Sequence, residues 1–100
     1  MNPTDESLRQ QLNRETGRIA WDELQRHFAR GVVIKVEPEL DLVDTALKFV
    51  KDDKPAIEAW LNNGSIARAS DADAQIWATG SAVFWAVVVA PWVLIQELNE

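Results

Sequence analysis

Apolar and polar positions follow several distinct rhythms along this chain. From about Asp5 to Arg30 the residues are mostly good helix formers. Thr4 is placed as an N-cap, Asp5 and Glu6 stand in the first turn, and Gly31 is a C-terminal stop. At roughly 100° per residue, Leu8, Leu12 and Ile19 share one side of that helix, whereas Trp21, Leu24 and Phe28 fall almost opposite. The phase jump lies near Gly17, so either the helix breaks there or its two faces meet different neighbours. Val32, Val33, Ile34, Lys35 and Val36 show no helical spacing, are rich in β-branched residues and end at Glu37-Pro38, which predicts a strand.

Asp41 then caps a short helix with Leu42, Val43, Ala46, Leu47, Phe49 and Val50 on one broad face and Asp44, Lys48 and Lys51 on the other. Asp52-Asp53 makes a tight joint. A second short helix follows, with Pro55 in its first turn, an apolar stripe of Ile57, Trp60 and Leu61, and an end at Asn63-Gly64. Ser65 to Ala69 alternates as a short strand, and Ser70 with Asp73 opens a helix carrying Ala74, Trp77 and Ala78 that Gly80 closes. Val83 to Ala90 is a continuous apolar run suited to a strand buried on both faces. Pro91 either bends that strand or separates it from Trp92 to Gln96. The predicted order is α-β-α-α-β-α-β(β).

Composition narrows the class. With 47% apolar residues in 100, the chain can bury a core without staples, as one α+β domain over residues 1–100 with residues 1–4 expected to be disordered. Cysteine is absent, which removes disulfides, thiolate metal sites and cysteine nucleophiles. The longest apolar stretch, Ala82 to Ile95, contains Pro91 and is shorter than the 18–20 or so residues a spanning helix needs, so it reads as buried core. With a polar, mixed-charge N-terminal segment, this makes the cytoplasm the expected location, with no membrane association.

The net charge of −6 is unevenly distributed. Five Arg and five acids occupy residues 1–30, four Lys and seven acids residues 31–63, and Arg68 alone stands against four acids in residues 64–100. The pair of short helices between two strands resembles a winged helix-turn-helix. A DNA reader of that kind needs a basic recognition helix, but Lys54 to Asn63 offers Lys54 against Glu58, with Asp44, Asp52 and Asp53 nearby. The local charge argues against nucleic acid.

Catalytic and metal chemistry find little support. His27 is the one histidine, and neither a nucleophile nor a second ligand is placed beside it; Glu23 at i−4 and the helix end at Gly31 suit it to a surface role. Glu37, Glu39, Asp41 and Asp44, and the pair Asp52-Asp53, match no EF-hand spacing, and no glycine-rich phosphate loop accompanies them. Helix capping and solvation explain these acids. The sequence therefore indicates no catalytic residue, cofactor, metal or small-molecule ligand.

The five tryptophans divide. Trp21, Trp60 and Trp77 fall at core spacing on helices. Trp85 and Trp92 lie in the extended C-terminal run, where Val83, Trp85, Val87 and Val89 face one way and Phe84, Ala86, Val88 and Ala90 the other. A domain of this size has difficulty covering two apolar faces, so Trp85 and Trp92 are candidate interface residues for self-association or a protein partner.

Trp21-x-x-Leu24 leading to Phe28-Ala29-x-Gly31, Leu40-Asp41-Leu42-Val43, and the block Trp85-Ala86-Val87-Val88-Val89-Ala90-Pro91-Trp92-Val93-Leu94-Ile95-Gln96-Glu97 resemble a family of small bacterial proteins of unassigned function, over roughly Leu8 to Glu97. The resemblance implies no activity, cofactor or site residue. The expectation is an α+β domain with helices over a small, mostly antiparallel sheet in winged-helix-like order, acting as a protein-interaction or adaptor module. The alternatives are a winged-helix-like DNA-binding regulator and, third, an enzyme of no indicated class.

Overall fold

A computed structural model describes residues 4–80 and 82–98. Thr4 closes the first helix, α1 (Asp5–Glu15), by accepting a hydrogen bond from the Ser7 N–H at 3.1 Å, which satisfies one of the orphan donors of the first turn. Residue 4 is thus ordered into a cap rather than disordered, and residues 1–3 of that expectation lie outside the described chain.

The helix predicted from Asp5 to Arg30 is not continuous. Thr16 ends α1, Gly17–Ala20 forms a strand, β1, and Trp21–Ala29 begins a second helix, α2. The phase jump near Gly17 marked this break, but the intervening strand was not foreseen. β1 exists because its backbone pairs antiparallel with a strand near the C-terminus, Gly17 opposite Ala86 and Ala20 opposite Val83. That long-range pairing overrides the local helix propensity of Arg18, Ile19 and Ala20.

The remaining elements follow the sequence pattern closely. They are β2 (Val33–Val36), α3 (Leu42–Val50), α4 (Lys54–Asn63), β3 (Ile66–Arg68), α5 (Asp71–Gly80), β4 (Val83–Val89) and β5 (Trp92–Glu97). The expected order is therefore corrected to α-β-α-β-α-α-β-α-β-β. Pro91 separates two strands: Val89 pairs with Trp92, leaving Ala90 and Pro91 as a two-residue turn.

The sheet runs β1-β4-β5-β2-β3, antiparallel throughout except for the parallel pair β2 and β5. Helices lie on both faces. On one face α1 and α3 pack Leu12, Leu42, Ala46 and Leu47 against Ile34, Val36, Val87 and Leu94, with Ile57 and Trp60 of α4 half-buried against the same core. On the other, α2 and α5 bring Trp21, Leu24 and Trp77 against Val33, Phe84, Val93 and Ile95. There Trp77 meets the Phe84 ring edge-on at 4.9 Å and lies 5.8 Å from Trp21.

Alternation along the central strands divides these two cores: Ile34 and Val36 face one, Val33 the other. Both apolar faces of the C-terminal hairpin thus find most of their cover within the chain. Val83, Trp85 and Val88 are the β4 side chains left exposed. The winged-helix likeness is confined to the succession α3, α4, β3, which occupies one end of a five-stranded sheet layered with helices on each side.

Candidate functional site

The helix pair α3 and α4 positions the main candidate site. Asp41 caps α3 by accepting from the Asp44 N–H at 3.0 Å, and the buried Thr45 hydroxyl donates back to the Asp41 carbonyl at 2.9 Å. The chain turns at Asp52, a non-glycine residue with φ 53°. Asp53 then caps α4 by accepting from the Ala56 N–H at 3.3 Å. At the far end Gly64 takes φ 83°, and Ser65 N–H donates to the Trp60 carbonyl at 2.9 Å, which fixes where β3 begins.

α4 differs from the other helices in its burial. Each of the other four has at least one buried side chain, but α4 has none among the described residues, and Leu61 is 48% exposed. Between α4, the end of α3, the sheet and the β4–β5 turn lies an open hollow of about 640 Å³. Ile34, Phe49, Ile57, Leu61, Ile66 and Trp92 give it an apolar lining. Four charged residues also line it: Asp52 at the joint, Lys54 and Glu58 on α4, and Arg68 on β3. Ligand sites are typically about 300–1,000 Å³ and mostly apolar with a few polar groups, a description this hollow meets.

Trp92 stands at this hollow, with the Arg68 guanidinium 5.1 Å from its ring centroid. Trp85 does not. Its ring carries Arg18 at 5.3 Å and borders a separate, more polar hollow of about 470 Å³ with Asn13, Thr16, Leu40 and Gln96. Trp85 pairs across the hairpin with Gln96 and Trp92 with Val89, so the two stand roughly 13 Å apart along the ladder, by the rise of about 3.3 Å per strand residue. The structure does not bring the two candidate interface residues together.

The Gln96 amide donates to the Glu37 carbonyl at 2.8 Å and the Leu40 carbonyl at 2.7 Å, holding the loop that leads into α3. A second, smaller cleft of about 220 Å³ lies beside Lys35, Trp77 and Glu97. Here the Trp77 indole N–H donates to Glu97 at 2.8 Å, and the Lys35 ammonium lies 2.7 Å from Asp73. Burial works against the Asp73 charge, but the Lys35 ammonium and the Ser70 N–H and hydroxyl together hold its carboxyl below the ordinary 3.8.

His27 stands half-buried in the last turn of α2, across the sheet from the hollow under α4. Asp41 and Asp53 act as helix caps, Asp53 also pairs with Lys48 at 3.5 Å, and Asp44 pairs with Arg9. Among the described residues, no group of three or more His, Asp or Glu side chains could hold a metal ion. No helix there is long and apolar enough to cross a membrane.

Sequence reasoning singled out Trp92 and noted Arg68 as the lone cation of the last third, but missed the hollow that joins them. Of the stripe Ile57, Trp60 and Leu61, the first two are half-buried against the core formed with α1, α3 and the sheet, as their spacing predicts, whereas Leu61 is left at the open hollow. Nothing in the spacing marks Leu61 as different.

Fold and site together define a small α+β protein, a mixed five-stranded sheet between two helical layers, with a ligand-sized apolar hollow beneath one helix. Residues 7–97 match the family described as protein of unknown function DUF2288, and the chain belongs to that family. The resemblance carried by the Trp21, Leu40 and Trp85 motifs is thus borne out. The fold is similar to the NMR solution structure of PA1075 from Pseudomonas aeruginosa. That protein is 40% identical, with a TM-score of 0.82 over 100% of this chain and 93% of the other. No curated protein matches the sequence.

Proposed function

We propose that the protein is a cytoplasmic, non-catalytic interaction module whose hollow under α4 receives an apolar segment of a protein partner. One observation carries the reading: α4, whose Ile57 and Trp60 are half-buried but none of whose side chains is fully buried, stands over about 640 Å³ lined by Phe49, Ile57, Leu61 and Trp92. Protein interiors are close-packed, so apolar walls left this far apart suit a group supplied from outside. The same helix pair read as a DNA reader would set Asp52, Asp53 and Glu58 beside Lys54 and Arg68, too few net cations to neutralise several phosphates.

Photo-crosslinking in the native cell tests the proposal. A benzophenone amino acid replacing Leu61 at the hollow is expected to capture a discrete protein through an apolar segment. The same group replacing the exposed Gln25 on α2 is expected to capture none. Equal capture from both positions, or none from Leu61, would defeat the reading; capture of a second copy alone would replace the partner by self-association.

A further inference from the structure

We infer that two copies of this chain join edge to edge through β1, antiparallel about a two-fold axis at Ile19, so that their sheets run on as one.

β1 is one edge of the sheet and β3 is the other. The Trp21 N–H donates to the Ala82 carbonyl at 3.1 Å, and the register of β1 on β4 continues from that pair, so Ile19 with Phe84 and Gly17 with Ala86 are the hydrogen-bonded pairs of the ladder. Arg18 and Ala20 fall between them and turn their N–H and C=O groups away from β4. Both residues are exposed, as is Gly17. The edge at β3 differs. By the same alternation Ile66 turns its backbone outward there, but that residue is 1% exposed, so its side of the edge is covered.

A sheet edge with free backbone groups is a template for another strand, and proteins ordinarily blunt it with a charge, a proline, a bulge or a covering element. Gly17–Ala20 has no proline, and its one charge is drawn aside: the Arg18 guanidinium sits over the Trp85 ring at 5.3 Å, on the neighbouring strand. A second β1 satisfies this edge in one register. Arg18 of each copy exchanges hydrogen bonds with Ala20 of the other, which sets Ile19 opposite its own counterpart at the axis. The two arginines are then not opposed, and each faces a small side chain. Val83 and Trp85, 40% and 36% exposed, are the β4 partners of Ala20 and Arg18, so each row across the seam reads Trp85, Arg18, then Ala20 and Val83 of the second copy.

Charge favours a second copy at this edge. Arg14, Arg18 and Arg26 balance Glu15, Asp22 and Glu23 around β1, whereas residues 31–63 and 64–100 each carry three more acids than bases. Copies that repel elsewhere can therefore meet here. The hollow under α4 borders β3, at the opposite edge of the sheet, and stays open in each copy. A seam of four residues a side belongs to the small, weak class of interfaces, so the association is one of high concentration.

Sedimentation equilibrium of the full chain, from micromolar to millimolar concentration, is expected to show monomer and dimer in equilibrium. Ala20 has φ −88° and an N–H turned to the edge, so Ala20→Pro suits the fold but removes half of the seam's hydrogen bonds; it should weaken the dimer by about tenfold or more. A thermal melt confirms that the fold is retained. Two single-thiol variants of this cysteine-free chain test the register. Ile19→Cys sets two thiols on strands whose Cα atoms stand about 4.5 Å apart, and should oxidise to a disulfide-linked dimer. Ala20→Cys sets them out of register, beyond the roughly 7 Å that a disulfide spans, and should remain monomeric on a denaturing gel. A monomer at every concentration, a dimer that a folded Ala20→Pro variant leaves intact, or equal crosslinking from both thiols overturns the inference. If proline unsettles the fold, the two thiols decide.

Discussion

Truncating two leucines, one on each of the paired helices, separates an open α4 from a sealed one. Leu47 on α3 is 4% exposed, inside the core formed by α1, α3 and the sheet. Leu61 on α4 is 48% exposed at the hollow. Leu47→Ala loses the transfer free energy of its buried carbons and leaves a cavity among packed neighbours, which together cost about 3 kcal/mol or more. In a domain of this size each kcal/mol lowers Tm by roughly 4–8 °C, so the variant should melt about 12–24 °C below the parent.

Leu61→Ala loses only about half of the roughly 1.5–3 kcal/mol that full burial of a leucine contributes, and leaves no closed cavity because the side chain borders a hollow open to solvent. Its cost should be about 1 kcal/mol or less. Urea unfolding followed by far-UV circular dichroism measures both, with an unchanged slope confirming that the unfolded reference is the same. A loss at Leu61 equal to that at Leu47 would mean that α4 closes onto the sheet in solution. It would remove the physical basis for the hollow as a site.

Two further predictions concern what holds the surrounding structure. The Gln96 amide donates to two carbonyls, so Gln96→Glu places a carboxylate against two acceptors and should destabilise more at pH 7 than Gln96→Ala does; the gap should narrow near pH 4 as the new carboxyl protonates. Chemical denaturation at both pH values measures it, and a constant gap would refute the assigned donor role. Asp73 has a folded pKa below its ordinary 3.8, so its contribution is present above that value and is lost as pH falls through the lower, folded pKa. Asp73→Asn leaves the Ser70 cap in place but removes the charge that Lys35 and Ser70 stabilise, so it should cost about 1 kcal/mol or less at pH 7 and almost nothing once the parent carboxyl is protonated. A difference that persists undiminished at pH 2 would show that the side chain contributes through packing instead.

Local signals made much of the fold legible. Asp41, Asp53 and Gly64 each sit at a helix boundary that capping chemistry marks, and the structure places α3 and α4 within a residue or so of the expected limits. The strand β1 was not legible, because Gly17–Ala20 is held by β4, more than sixty residues away, and carries no strand rhythm of its own. For the same reason the apolar C-terminal run suggested a surface needing another chain. Its covers, α2 and α5 on one face and α1, α3 and α4 on the other, are assigned by the sheet order and not by any stretch of sequence. The candidate site was half legible: Trp92 and the solitary Arg68 were visible as residues, their stacking and shared hollow were not.

The sequence by itself determined the α+β class, the ends of α3, α4 and α5, the alternation that divides one core from the other, and an acidic balance poorly suited to nucleic acid. These are properties of neighbouring residues, governed by capping, periodicity and charge within a few positions. Only the tertiary structure decided that the first helix breaks into α1, β1 and α2, that Trp85 and Trp92 lie in different hollows, and that α4 leaves Leu61 beside an open hollow. Those outcomes depend on strand pairing and on the distance between packed layers, where residues remote in sequence set the result and local pattern has no information to offer.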